Sequence, residues 1–343
     1  MTATKGADFN HPDPHPALIV AATRDGTVLP VIDVTDPRFA VPDDPDSLQR
    51  LFTAAHEEER RNRRIPKFIM RWMLASATRR SRLLRAIFGG TSDFLDGITT
   101  YVMKLGADNL PPFYDSPMDR RVAASPHLTL LRLRTQQVAR LIADGLAPEL
   151  IAAKTAPLHL INIGGGPAVD SMNSLIILNS RDGNLLRRRT VIHVLDSDDA
   201  GPFFGSNALA ALMADGGPLS GLDVTFDHRS YDWNRPALLE ALLGEPGATG
   251  AIVAASSEGG LFEYGSDDAI VTNLKTLRDG GTGLVAGSVT SNDEARRRMM
   301  TMSRFRVIPR GLEGFAPLAV RGGYRIAQAE PARLSDQVLL RPL

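Results

Sequence analysis

The sequence of 343 residues contains no cysteine, which excludes disulfides, thiolate metal sites and a thiol nucleophile together. Net charge is missing too. The 39 Lys and Arg balance 39 Asp and Glu, so bulk electrostatics give no sign of a nucleic-acid partner. No uninterrupted apolar run reaches the roughly 18 residues of a spanning helix. The N-terminus lacks the charged segment and apolar core of a signal peptide. The expectation is a cytoplasmic protein with no membrane and no nucleic-acid partner. Aromatic residues are scarce at 6%, and only two are tryptophan. Aliphatic residues are plentiful: the chain is 43% hydrophobic, enough for a sizeable core.

Two textures divide the chain. In the first, "ALIVAATRDGTVLPVIDV" predicts a strand pair turning at Asp25-Gly26. Ser47 is placed to cap a helix over "LQRLFTAAHEEERRNRR", "PKFIMRWMLASATRRSRLLRAIFGG" has helical spacing up to Gly89-Gly90, and "SPHLTLLRLRTQQVARLIADGL" is amphipathic. Residues 60–85 hold ten Arg or Lys and no acid, read as a helix with a solvated or partner-facing side. From about residue 157, short apolar runs ("LHLINI", "TVIHVL", "LDVTF", "GAIVAA", "GLVAGSV") alternate with helical segments. One of these, "SDDAIVTNLKTLRDGG", carries Ser266 and Gly280 as caps. Doubly apolar strands between helices imply a parallel sheet covered on both faces. The strand-like segments "YRIAQAE" and "DQVLLRPL" are separated by only five residues, too few for a parallel crossover, so they pair antiparallel.

The predicted fold class is therefore α/β: a Rossmann-like, doubly wound, mostly parallel seven-stranded sheet with a C-terminal antiparallel hairpin, preceded by a mainly helical N-terminal region. The predicted boundary separates a helical lid or dimerisation region, 1–125, from a ligand-binding domain, 126–343. At the carboxyl end of the first strand stands "LHLINIGGGPAVDS", an apolar run ending in a glycine turn, where doubly wound sheets bind ligands.

With its antiparallel ending, the C-terminal half resembles the class I S-adenosylmethionine (SAM)-dependent methyltransferases. The resemblance implies SAM as cofactor and places its methionine part against Gly164, Gly165 and Gly166. The family's usual acidic residue and third glycine are replaced here by Asn162 and Ala168. Asp196, followed by Ser197, matches the acidic residue that accepts from the ribose hydroxyls. Its separation of about 30 residues from the glycines is explained by the extra crossover length in "NSRDGNLLRRR". Asp232 with Tyr231 or Trp233 matches the adenine site. Ser256 and Glu258 end the fourth strand, where the resemblance places both the sulfonium, beside Ser256, and the acceptor, and Arg134 could reach the methionine carboxylate.

Candidates for proton transfer are His228 and Glu258, whereas His193 reads as a core histidine. Tyr101, Asn109, Tyr114, Glu258 and Tyr264 are candidates for acceptor binding. No metal-ligand spacing is seen. The function so implied is methyl transfer to O or N of a small molecule, in a homodimer. The alternatives are an NAD(P)-dependent oxidoreductase, favoured by the glycine turn and Asp196, and a SAM-binding protein without transfer activity.

Overall fold

The Asp25-Gly26 turn closes a hairpin of β1 (Val20–Ala22) and β2 (Val28–Pro30), with Gly26 at φ +85°. A computed structural model describes residues 18–89, 95–245, 250–294, 296–297 and 305–343. Helix α1 (Pro45–Arg64) is capped by Asp44, which accepts the Ser47 amide at 3.0 Å. The expected cap, Ser47, lies inside the helix because Pro45 favours the first helical position and fixes the start three residues earlier.

The next expected helix breaks in two, α2 (Lys67–Arg80) and α3 (Arg82–Gly89). Ser81 between them is extended; its hydroxyl donates to Asp119 and accepts the Leu84 amide, offering the backbone an alternative to continuing the helix. Then come α4 (Gly97–Met103), α5 (Pro117–Ala123) and the 27-residue α6 (Pro126–Ala152), capped by Asp96, Ser116 and Ser125 respectively.

Helix α1 is fastened to α6 by charge. His127 lies 3.4 Å from Glu58 and 3.7 Å from Glu59. Burial opposes its protonation, but the two carboxylates outweigh burial and push it up to about 9. Because this folded value lies above the ordinary one, the contribution is complete below about pH 6.5 and is lost as pH rises through 9. Urea denaturation is expected to show a loss of about 2 kcal/mol between about pH 6.5 and 9.5 that His127→Gln abolishes. Equal pH profiles for the two proteins would contradict it.

The main sheet contains β3 (Leu158–Ile163), β4 (Thr190–Leu195), β5 (Val224–Arg229), β6 (Ile252–Ser257), β7 (Leu284–Thr290), β8 (Tyr324–Glu330) and β9 (Ser335–Pro342), in the order β5-β4-β3-β6-β7-β9-β8. The pairs from β5 through β7 are parallel, and β9 inserts antiparallel between β7 and β8. β3, β4, β6 and β7 are buried at every position, as expected of strands covered on both faces. The crossover helices are α7 (Val169–Arg181), α8 (Ala200–Met213), α9 (Ala237–Leu243), α11 (Asp267–Asp279), after the one-turn α10 (Leu261–Tyr264), and α12 (Gly311–Arg321). Ser266 and Gly280 cap α11 as expected. A turn over Gly183–Leu186 holds the extra length of the first crossover.

One face of the sheet buries Leu158, Leu160, Ile192 and Ala254 against α6 and α7, in a core that continues to Leu29 and Val31 of the N-terminal segment. The other buries Ile161, Val253 and Val285 under α11 and α12. Among the described residues no helix is long and apolar enough to cross a membrane.

Candidate functional site

A strand order that reverses at β3 leaves a crevice outside the carboxyl ends of β3, β4 and β6. Here the crevice is a cavity of about 730 Å³, within the range of small-molecule sites. Gly164, Gly165, Gly166, Asp196, Ser197, Tyr231, Asp232, Trp233 and Glu258 line it, so these residues, expected together from the sequence, do meet in one place. The opposite wall comes from the N-terminal region, chiefly Asp96, Gly97, Thr100 and Lys104 around α4, with Ile87 and Phe88 of α3.

The glycine turn is tight for two reasons. Gly164 and Gly166 adopt φ of +68° and +56°, which side chains disfavour. The turn is also hemmed in by chain: a Cβ at Gly164 would sit 3.0 Å from the Trp233 indole, one at Gly166 3.2 Å from Gly97, and one at Gly165 2.1 Å from Asn162 Oδ1. The space beside Gly164 and Gly166 is thus taken by protein, and any ligand meets the turn from the cavity side. Ala168 caps α7 at φ +56°, the only non-glycine positive φ among the described residues. An alanine there carries left-handed strain of about 1–2 kcal/mol.

Asn162 does not reach the cavity. It is wholly buried beneath the turn, where its amide donates to Asp170 at 2.7 Å and Ser256 at 3.1 Å. Ser256 and Ala168 are buried with it. The acid missing at position 162 stands in the first turn of α7 instead: burial, then the nearby Glu258, pushes the Asp170 carboxyl up to about 6. A folded pKa above the ordinary 3.9 means that ionising Asp170 costs stability, with the cost developing from about pH 4 to 6 and complete above. Asp170→Asn is expected to stabilise the protein by about 2 kcal/mol at pH 8 and to leave pH 4 stability unchanged, measured by urea denaturation. A loss at both pH values would contradict this assignment.

Asp196 accepts the Gly166 amide at 2.9 Å through one oxygen and the Asp198 amide at 2.9 Å through the other. Its pKa is raised by burial despite these bonds. The carboxylate after β4 is thereby pinned to the glycine turn at the cavity wall. Asp232 is exposed and forms an Asx turn with Asn234. Tyr231 is buried, its hydroxyl donating to Asn273, which leaves Trp233 as the aromatic surface on the turn.

The cavity floor is an ion-pair network that sequence reasoning only half finds. Glu258 receives Lys104 on one oxygen and Arg134 Nε at 2.5 Å on the other. Arg134 also reaches Glu263 at 3.1 Å, and Glu263 accepts the Thr290 hydroxyl at 2.9 Å. Burial opposes ionisation of Glu258, yet Arg134 and Lys104 outweigh it and hold its carboxyl at about 2. A carboxylate so held is a poor proton acceptor. Arg134 is spent on two carboxylates, so the expected reach toward a methionine carboxylate has no geometric support. His228 lies outside the cavity lining, its Nε2 3.1 Å from the Asp196 carbonyl oxygen. His193 is a core residue, stacked on His159 and 3.0 Å from Asp227.

Of the acceptor candidates, Tyr264 and Tyr101 line the cavity. The Tyr101 hydroxyl, however, donates to Pro30 O and accepts the Ile32 amide, stapling the N-terminal segment to α4. Asn109 is buried in bonds to Arg38 O and Leu105 O, and Tyr114 packs on Phe113; neither lines the cavity. Lys104, Asp96 and Asp198 line it without having been expected from the sequence. A lone lysine inside "YVMKLG" is the available signal for the first.

Neither a family model nor a curated protein matches the sequence. Among solved structures, similarity is found to CalO1, a methyltransferase in calicheamicin biosynthesis in its SAH-bound form, at 14% identity and TM-score 0.37 over 66% of this chain and 59% of that one. A possible exported protein from Bordetella parapertussis gives 16% and 0.48, over 78% and 95%. The dimethyltransferase RosA from Streptomyces davawensis gives 13% and 0.37, over 76% and 70%. The chain spans about three fifths of the length of CalO1. It is the strand order and the inserted antiparallel β9, rather than these distant likenesses, that give the chain the class I SAM-dependent methyltransferase fold.

Proposed function

We propose that the chain binds SAM in this cavity and transfers its methyl group to O or N of a small molecule. The observation that carries the reading is the charge of the cavity wall. Asp96, Asp196, Asp198 and Asp232 line it, and the one lining cation among the described residues, Lys104, is committed to Glu258. Such a wall suits a ligand bearing a sulfonium and an ammonium. It repels a diphosphate, which needs cations or open amides, and the Gly166 amide already serves Asp196. An oxidoreductase using NAD(P) is disfavoured on this ground and by the antiparallel β9.

The residues fit the cofactor. Asp196 keeps acceptor capacity for vicinal hydroxyls, and the Trp233 face offers a stacking surface beside the glycine turn. SAM supplies an electrophilic methyl group with a good leaving group, so the protein has mainly to orient and exclude water. Lys104 and Arg134 fix Glu258 as a charged floor, and Leu74, Ala86, Ile87, Phe88, Leu95 and Phe305 give the far end an apolar wall for the acceptor. With Glu258 ion-paired and His228 outside, the favoured acceptors are those already nucleophilic near neutral pH, such as aromatic amines and acidic phenols.

The test is incubation of the protein with SAM and a panel of such acceptors, with mass spectrometry of products. Formation of S-adenosylhomocysteine (SAH) with a methylated acceptor supports the reading. Tight SAM binding without turnover on any acceptor would favour a binding protein.

A further inference from the structure

Helix α2 buries none of its residues. Phe68 is 73% exposed and Trp72 72%, one helical turn apart, with Ile69 and Met73 exposed beside them. On the opposite side, Met70, Leu74 and Ala77 are half-buried toward the body, and Leu74 reaches the cavity wall. The apolar outer face therefore belongs to a helix already seated on the protein. It sits in a strongly basic stretch of a chain with no net charge, ten cations and no acid over residues 60–85. Lys67 and Arg71 flank the apolar face on one side and Arg80 on the other, all exposed. Arg63 is paired with Glu294, and Arg82 lies over the Phe113 ring.

We propose that α2 is a peripheral docking surface for an anionic phospholipid leaflet. Four large apolar side chains held out beside cations match the acyl boundary and headgroups of such a surface. A nucleic acid or an acidic protein surface would answer the cations and leave the aromatics wet. A second copy meeting this face about a twofold axis would set its cations against their own images. The expectation of no membrane partner rests on the lack of a spanning segment and does not extend to a helix lying on a surface. The proposal is independent of the methyl-transfer reading.

The test uses the full chain and vesicles of phosphatidylcholine alone or with about one quarter phosphatidylglycerol, read by cosedimentation. Binding at least tenfold tighter to the anionic vesicles, and weakened by salt, is expected. Phe68→Ser/Trp72→Ser and Arg71→Glu/Arg80→Glu, each checked for an unchanged circular dichroism spectrum, are each expected to weaken it at least tenfold. No vesicle binding, or equal binding to both vesicle types, would overturn the proposal. So would wild-type affinity in either variant. Tighter binding to a DNA duplex than to the anionic vesicles, or self-association that Phe68→Ser/Trp72→Ser abolishes, would assign the face to those partners instead.

Discussion

Arg134→Ala is expected to cost about 3–5 kcal/mol of folding stability. Native proteins hold only about 5–15 kcal/mol in total, so the variant should be soluble but strongly destabilised. The cause is the buried charge balance beneath the cavity. Arg134 stands between Glu258 and Glu263, and all three are buried. Removing the guanidinium leaves Glu258 with Lys104 as its ion-pair partner and breaks the ion pair to Glu263. Glu263 would lose its ion pair and keep the Thr290 hydroxyl and the field of the buried Arg296. Arg134→Lys keeps the charge and loses the fork that serves two partners, so an intermediate loss is expected. Urea denaturation at neutral pH measures both, and a loss below about 1 kcal/mol for Arg134→Ala would contradict the network's role.

Asp196→Ala is expected to weaken SAM binding about 100-fold while lowering stability by only about 1 kcal/mol. Two hydrogen bonds to a charged acceptor are at stake in the ligand complex, each taken at the low end of about 1.5–3 kcal/mol. In the free protein the same carboxylate is penalised by burial, which partly offsets the loss of the Gly166 and Asp198 bonds. Asp196→Asn retains an acceptor oxygen and should fall between the two. Calorimetric titration with SAM, paired with thermal denaturation, separates affinity from folding. Unchanged affinity in a folded Asp196→Ala protein would remove the ribose assignment.

The parts of this molecule that are legible in its sequence are those where physics is local or periodic. β3, β4, β6 and β7 announce themselves because strands covered on both faces are apolar throughout. The antiparallel ending follows from a connection too short to cross over. The glycine turn and Asp196 fall together because parallel strands place their carboxyl ends at one edge. Helix boundaries are less legible where two caps compete: Asp44 displaces Ser47 through Pro45, and Ser81 breaks a pattern that spacing alone would continue.

The floor of the site is largely illegible. Lys104 and Glu258 are 154 positions apart, and nothing in either segment names the other. Tyr101 and Asn109 have the chemistry of pocket residues but are spent on the backbone of the N-terminal segment. A run of glycines suggests room for a ligand, yet two of these make room for Trp233 and Gly97.

The measurement that bears most directly on the site is calorimetric titration of the full chain with SAM, SAH, NAD and NADP, after stripping any carried-over ligand. The expected result is binding of SAM and SAH near one per chain, in the micromolar range or tighter, with no heat from NAD or NADP. Binding of either dinucleotide with none of SAM or SAH would contradict the reading of the acidic cavity as a SAM site.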